Sequence, residues 1–191
     1  MLNFTNRGRR WVGAGLGLMM SVLVVASVGA QSAEIVQSIT GGGQPTVTIG
    51  SVSLAPASYS SDEQASPGQL DYTISAASGT APGWSVSLQA GDLVYSGENG
   101  GTNIPAANLA VSTANAPGHV SGDPIDPGNG PFAPAGGATG SLDQPRTVLV
   151  SNAGYGDGTY TQNLDLTLTI PGGASPGNYS GTITFTVATG P

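Results

Sequence analysis

In Leu164-Asp-Leu-Thr-Leu-Thr-Ile170, apolar and polar residues alternate along the whole segment. A period of two places the leucines and Ile170 on one face of a β-strand and the polar residues on the other. Pro171-Gly-Gly173 ends this strand, and a second alternating segment follows from Tyr179 to Val187. The two segments predict a β-hairpin with a long loop.

Similar alternation upstream predicts further strands at residues 47–54, 70–76 and 84–88, with weaker candidates at 91–96, 107–112 and 147–150. In the first of these, the alternation changes phase at Gly50-Ser51, which indicates a β-bulge. The pattern predicts an all-β fold, an Ig-like β-sandwich of roughly seven to nine short strands. Residues 117–145 contain six prolines among glycines and little alternation, which predicts one long loop.

Residues 1–30 have the pattern of a signal-peptide helix, with Arg7, Arg9 and Arg10 before an apolar run that ends at Val28-Gly-Ala30. The run is shorter than the roughly 20 apolar residues of a membrane span, so we expect cleavage rather than retention as an anchor. The Arg9-Arg10 pair leaves twin-arginine export open as an alternative. We therefore expect a secreted protein with a flexible leader at residues 31–45 and one domain at residues 46–191.

Removal of residues 1–30 would leave Arg146 as the one cation against eleven acidic residues, a net charge of −10. Proteins bind nucleic acids through basic surfaces that neutralise phosphates, so nucleic acid is not an expected partner. The chain has no cysteine for lipid attachment and ends without an apolar tail. We therefore expect no membrane association after cleavage of the signal peptide.

The residue types needed for catalysis are nearly missing. His119 is the single histidine, and it lies in the predicted loop, where it has little support as a general base. One histidine without cysteine cannot build a zinc site, so neither an enzyme nor a cofactor is expected. Two sets of oxygen ligands make calcium binding an alternative. The favoured interpretation is that these carboxylates only solvate turns and strand faces. The sets are Asp123, Asp126 and Asn129, and Asp157, Asn163 and Asp165.

Tyr155 and Tyr160 lie among glycines in Gly154-Tyr-Gly-Asp-Gly-Thr-Tyr160, a context in which aromatic rings can remain exposed. Both are candidate ligand contacts, because exposed rings can stack against sugars. Tyr160 also begins the alternating segment, so packing inside the sandwich is the alternative for its side chain.

Four segments, in their order along the chain, resemble the WxL domain of Gram-positive and related bacterial surface proteins. They are Gly83-Trp-Ser-Val-Ser-Leu88, Ala153-Gly-Tyr-Gly-Asp-Gly-Thr-Tyr160, Leu166-Thr-Leu-Thr-Ile-Pro171 and the terminal strand with Tyr179, Ile183, Thr184, Phe185, Val187 and Pro191. This chain has Val86, Phe185 and Val187 where the family has leucine, tryptophan and leucine, and it lacks the lysines of the family.

The resemblance implies noncovalent association with the bacterial cell wall, through peptidoglycan or another glycan, and assembly with other surface proteins. It does not imply an enzyme. The alternative function is a structural subunit of an extracellular fibre or surface assembly that adds β-strands to its neighbours. We expect the motif residues to be structural, with Trp84 as a core ring. These residues are Trp84, Val86, Leu88, Tyr179, Ile183, Phe185 and Val187.

Overall fold

The computed structural model describes residues 43–190. The predicted signal peptide, residues 31–42 of the predicted leader and the last residue lie outside this range. The described chain forms eleven strands and one short 3-10 helix, η1 (Ala106–Asn108). The strands are β1 (Thr46–Leu54), β2 (Gln64–Ala76), β3 (Trp84–Ala90), β4 (Val94–Ser96), β5 (Leu109–Ala114), β6 (Gly118–Gly122), β7 (Gly140–Ser141), β8 (Arg146–Ser151), β9 (Gly158–Ile170), β10 (Asn178–Ser180) and β11 (Ile183–Thr189).

The larger sheet has the strand order β1-β2-β9-β5-β7, and β6 also pairs with β9. A second sheet has the order β11-β3-β8, and β10 pairs with β4 in a two-stranded ribbon. All of these pairs are antiparallel. The predicted all-β sandwich is confirmed. The strand number exceeds the predicted seven to nine because β6 and β7 lie in the predicted loop and because the last predicted strand is divided into β10 and β11.

The core lies between the two larger sheets and is built from the alternating residues. Leu164, Leu166 and Leu168 of β9 are buried, as is the matching face of β2. Rings from opposite sheets meet in the core, with centroids 5.2 Å apart for Tyr72 and Phe185. Because β2 and β9 pair over thirteen residues, the most regular segment of the sequence becomes the centre of the larger sheet.

The predicted hairpin between residues 164–170 and 179–187 is wrong. β9 pairs with β2 along one edge and with β5 and β6 along the other, so both of its edges are already used. The second segment is divided into β10 and β11, which pair with β4 and β3. The loop after Ile170 carries the chain to the other sheet. Alternation defines the two faces of a strand, but it does not define the neighbours of the strand.

The bulge predicted at Gly50-Ser51 is confirmed. Ile49 pairs with Tyr72 and the next pair is Val52 with Leu70, so two residues of β1 lie opposite Asp71. The extra residue returns Val52 to the face of β1 that points at the core.

The prediction of one long loop over residues 117–145 is wrong in two places. β6 pairs with β9, and β7 pairs with β5. Leu142, which follows β7, is fully buried in the core. The sequence pattern missed β6 because all five of its residues are exposed, so no apolar face marks it. Among the described residues, no helix is long and apolar enough to cross a membrane.

Candidate functional site

The first and last of the segments that carry the family resemblance lie on the neighbouring strands β3 and β11. In the pairing of β3 with β11, Phe185 is opposite Leu88 and Val187 is opposite Val86. Trp84, Val86, Leu88 and Phe185 are buried. Tyr179, Ile183 and Val187 are partly buried and pack against the core. The two ends of the motif therefore meet in one sheet and point mainly into the sandwich, as expected for structural residues.

Trp84 is a core ring, as expected. Its side chain is 1% exposed. Its indole Nε1 donates a hydrogen bond of 2.9 Å to the carbonyl oxygen of Gly156. Its ring centroid lies 6.1 Å from that of Tyr160. The indole thus fills the interior and also ties β3 to the glycine-rich segment before β9.

The hypothesis that Tyr160 contacts a ligand is wrong, because its side chain is fully buried. Its hydroxyl donates a hydrogen bond of 2.7 Å to the carbonyl oxygen of Asp123. Burial, followed by the nearby carboxylates of Asp123 and Asp157, raises the pKa of Tyr160 to about 12. As the third residue of β9, Tyr160 begins the inward alternation of that strand. Tyr155 is partly exposed and remains a candidate contact.

His119 lies in β6 rather than in an irregular loop. Its ring is exposed and lies 5.9 Å from the ring of Tyr160, measured between centroids. Its Nε2 is 3.1 Å from the carbonyl oxygen of Gly122. This arrangement fixes the imidazole beside backbone and an aromatic ring, which is a structural contact and not the base–nucleophile pair of a hydrolase.

Four of the acidic side chains, those of Asp92, Asp123, Asp126 and Asp157, accept hydrogen bonds from backbone N–H groups. Asp157 accepts hydrogen bonds from the N–H groups of Ser78 and Gly79 at 3.1 and 2.7 Å. Asp123 accepts one from the N–H of Asp157 at 3.2 Å. Within residues 43–190, no group of three or more acidic or histidine side chains is arranged to hold a metal ion.

The second proposed set of calcium ligands is not brought together. β9 begins directly after Asp157 and is extended, so Asp157 and Asp165 are separated by about 25 Å at 3.2–3.4 Å per residue. Asp165 instead lies 3.4 Å from the side-chain amide of Gln69 on β2. Asn163 donates a hydrogen bond of 2.6 Å to Asp71. The hypothesis of one calcium ion bound by Asp157, Asn163 and Asp165 is therefore wrong.

Asp126 organises the turn that follows it. Its Oδ1 accepts hydrogen bonds of 2.9 Å from the backbone N–H groups of Gly128 and Asn129 and one of 3.1 Å from the side chain of Asn129. The N–H of Gly128, and then that of Asn129, lowers the pKa of Asp126 below its usual value. Asp126 and Asn129 thus bind each other, which is the turn interaction favoured by the sequence.

Asp126→Ala is expected to lower the free energy of unfolding at neutral pH. A carboxyl whose pKa is lowered by folding contributes stability above its unfolded pKa of about 3.9, and this contribution is lost as the pH falls through the folded pKa. The difference between the variant and the parent should therefore shrink in acid. Urea unfolding at neutral pH and at about pH 2 measures both differences.

Glu98→Ala is the matched control, because it removes an exposed carboxylate on the loop after β4. An Asp126→Ala defect that stays constant between neutral and acid pH would show that the carboxylate does not stabilise the turn.

A polar cleft of about 340 Å³ lies where the loop before β2 meets the loops after β9. We define it by Tyr59, Gln64, Ser66, Pro171, Pro176 and Tyr179. Tyr59 is 68% exposed, the most exposed of the large apolar and aromatic side chains in the described chain. The Tyr179 ring is held by the ring of Tyr95, 5.3 Å away, and its hydroxyl donates to the carbonyl oxygen of Ser175.

An apolar groove of about 400 Å³ adjoins the polar cleft and lies between β1 and β11. We define it by Ile49, Val52, Leu54, Leu93, Ile183 and Phe185. The groove and the cleft share Leu54, Leu93 and Tyr179 in their walls. Together they form one continuous depression along the side of the sandwich where β1 and β11 are edge strands.

Tyr59 is not predicted from the sequence pattern, because it lies outside the glycine-rich and alternating segments that contain Tyr155 and Tyr160. The available signal was a tyrosine among small and polar residues in Pro56-Ala-Ser-Tyr-Ser60. The apolar groove had no comparable signal, because its walls come from five separate parts of the chain.

Comparison of the chain with models of protein families, with curated proteins and with solved structures found no match.

Proposed function

We propose that the protein is a secreted, non-catalytic surface module that associates noncovalently with the bacterial cell wall, with peptidoglycan or another wall glycan as its ligand. The observation that carries the proposal is the polar cleft, where the exposed ring of Tyr59 lies beside hydroxyl and amide groups. Binding sites for small polar ligands combine apolar or aromatic surface with a few convergent polar groups. The sequence resemblance to WxL domains supports the same ligand class.

The polar groups of the cleft are held in place before any ligand binds. The Gln64 side chain donates a hydrogen bond of 2.9 Å to the carbonyl oxygen of Ser58, next to Tyr59. Ser66 donates one of 2.6 Å to the carbonyl oxygen of Ala55. A rigid wall lowers the entropic cost of binding, because fewer side chains have to be ordered. The acidic composition of the chain favours a neutral sugar surface over an anionic polymer as the ligand.

Tyr59→Ala is expected to weaken binding to isolated cell walls by about tenfold, which corresponds to about 1.4 kcal/mol. The physical reason is the loss of an exposed ring that can stack against a sugar face. Sedimentation of the protein with purified walls, over a range of wall concentrations and at two salt concentrations, gives the apparent affinity. Binding that survives high salt would agree with stacking rather than ion pairing.

Tyr155→Ala tests the other candidate contact, the partly exposed tyrosine in the segment before β9. If the polar cleft is the binding site, this variant binds walls like the parent. Loss of binding in Tyr155→Ala with normal binding in Tyr59→Ala would place the ligand at Tyr155. Normal binding in both variants would exclude both tyrosines as ligand contacts.

The apolar groove favours a second candidate function, a subunit of a fibre or surface assembly that takes up a strand from a neighbour. Edge strands with unpaired backbone groups next to apolar pockets are the usual receptors for strand addition. This function requires the groove to be open to a second molecule. Electron microscopy over a range of protein concentrations tests it: filaments that form as the concentration rises would support this function, and a monomer at every concentration would contradict it.

A further inference from the structure

The apolar groove opens directly onto the core. Leu70 and Leu109 form part of its walls and are 0% and 4% exposed, while Phe185 is 8% exposed. Val52, on the rim, is 50% exposed. An apolar ligand in the groove would contact core side chains and also cover the exposed valine, and the removal of apolar surface from water is what favours such binding.

The space between the two strand edges that border the groove is narrow. Cα atoms of β1 and β11 approach one another to within 8 Å. A strand placed between them would need about 4.7–4.9 Å on each side, so it could pair with one of these edges but could not lie between them. A hydrocarbon chain is narrower than a strand and has no backbone groups that require hydrogen bonds. The groove therefore suits a single hydrocarbon chain.

The polar cleft continues the same depression. The cleft and the groove share Leu54, Leu93 and Tyr179 in their walls. The exposed ring of Tyr59 and the side chain of Gln64 lie on the cleft side only. A ligand that occupies the whole depression therefore has a polar head joined to an apolar chain.

The charges of the protein decide what kind of head fits. No charged side chain of residues 43–190 lines either part of the depression, although the chain has eleven acidic residues. Arg146 is the one arginine or lysine in this range, and it lies on β8, where its Nε donates a hydrogen bond of 3.0 Å to the carbonyl oxygen of Ser141. A carboxylate or phosphate head would find no cation in the depression and would be repelled by the acidic protein. The site therefore favours an uncharged head.

We propose that the depression binds one molecule of an uncharged glycolipid, with its sugar against Tyr59 in the polar cleft and a single hydrocarbon chain in the apolar groove. The inference rests on the proposed function, because it takes the polar cleft as the sugar site, and it adds the chemical class of the ligand. Tyr179 lies where the sugar and the chain join, since it is the aromatic residue common to both walls.

Alkyl maltosides test the proposal, because they join an uncharged sugar to one hydrocarbon chain of chosen length. Calorimetric titration of the full chain with maltose and with hexyl, octyl and decyl maltoside, each below its critical micelle concentration, gives the affinities. We expect the affinity to rise about two- to fourfold for each added methylene group, where fourfold corresponds to complete burial at about 0.8 kcal/mol. Decanoate, a comparable chain on a carboxylate, should bind more weakly than decyl maltoside.

Val52→Asp tests whether the hydrocarbon chain lies in the groove. Val52 is half-exposed, so the new carboxylate stays hydrated and the fold is retained, but a bound hydrocarbon chain would remove water from the carboxylate. The affinity for decyl maltoside is expected to fall by about tenfold or more, with the affinity for maltose unchanged. Val120→Asp is the matched control, because Val120 is 58% exposed on β6 and lines neither part of the depression. Binding of the probes to the apolar run within residues 1–30 would be the same in both variants and cancels in the comparison.

Equal affinities for maltose and decyl maltoside would overturn the inference, and so would equal affinities of Val52→Asp and Val120→Asp for decyl maltoside. Decanoate that binds more tightly than decyl maltoside would exclude an uncharged head. None of these results changes the outcome of wall sedimentation, so the proposed function would stand. The proposed function fails separately if Tyr59→Ala binds walls and maltose like the parent. A dependence on chain length that persists in that case would show an apolar site without a sugar site, which excludes a glycolipid as the ligand.

Discussion

Trp84→Ala is expected to lower the free energy of unfolding by about 3 to 5 kcal/mol, the range for removal of a large aromatic side chain from a core. The indole is 1% exposed, so the change leaves a cavity between the sheets. It also removes the hydrogen bond to the carbonyl oxygen of Gly156, which would leave a buried acceptor without its donor. A total stability of about 5–15 kcal/mol is typical of a domain, so the variant is expected to be severely weakened or unfolded. Urea unfolding measures the loss.

Trp84→Phe separates packing from hydrogen bonding. Phenylalanine retains a ring in the core but has no N–H, so its stability should lie between those of the parent and Trp84→Ala. The outcome that would contradict the structural role is a Trp84→Ala variant that melts like the parent and no longer sediments with cell walls. In that case Trp84 would be a ligand residue.

Gly156→Ala is expected to cause the second large loss of stability. This substitution adds a methyl group to the interior and removes no side chain. Gly156 has a φ of +76°, and an added Cβ would lie 2.8 Å from the Cβ of Ser151 and 3.0 Å from Nε1 of Trp84. It would also overlap the Ser151 hydroxyl oxygen. The left-handed conformation costs about 1–2 kcal/mol for an L-residue, and overpacking adds about 1–3 kcal/mol. Thermal or urea unfolding would measure the sum of the conformational cost and the overpacking cost.

Gly154→Ala is the matched control for this experiment. Gly154 has a φ of +86°, but an added Cβ would meet no atom within 4 Å. The control should therefore show only the conformational cost of about 1–2 kcal/mol. Equal losses in the two variants would show that the close approach of Gly156 to Trp84 and Ser151 does not contribute.

A second substitution can relieve the crowding at Gly156. The Ser151 hydroxyl is buried and has no hydrogen-bond partner within the described residues, so Ser151→Ala should cost little by itself. In the double variant, Ser151→Ala with Gly156→Ala, part of the overpacking is removed, and the combined loss should be smaller than the sum of the single losses. A strictly additive result would place the clash elsewhere.

The tyrosines show where inference from the sequence succeeds and where it stops. Tyr155 and Tyr160 share the same glycine-rich context, so composition gave both the same candidate role. Only the alternation that begins at Tyr160 indicated its inward direction, and the structure confirms that alternative with a fully buried ring. Tyr59, in a segment without alternation, was not identified. The polar cleft that contains Tyr59 is completed by loops that are distant from it in the sequence.

The amino-acid sequence by itself determined the all-β class, the inward faces of β2, β3 and β9, the bulge at Gly50-Ser51 and the core position of Trp84. Each of these follows from local rules, namely the period of two and the conformational preferences of glycine, which depend on residues close together in the chain. Only the tertiary structure decided which strands are neighbours, that β11 pairs with β3 rather than with β9, and that β6 and β7 add to the larger sheet. The polar cleft and the apolar groove are likewise decided by the tertiary structure, because both form where strands and loops from distant parts of the chain meet. The packing of the whole sandwich determines which of these distant parts become neighbours.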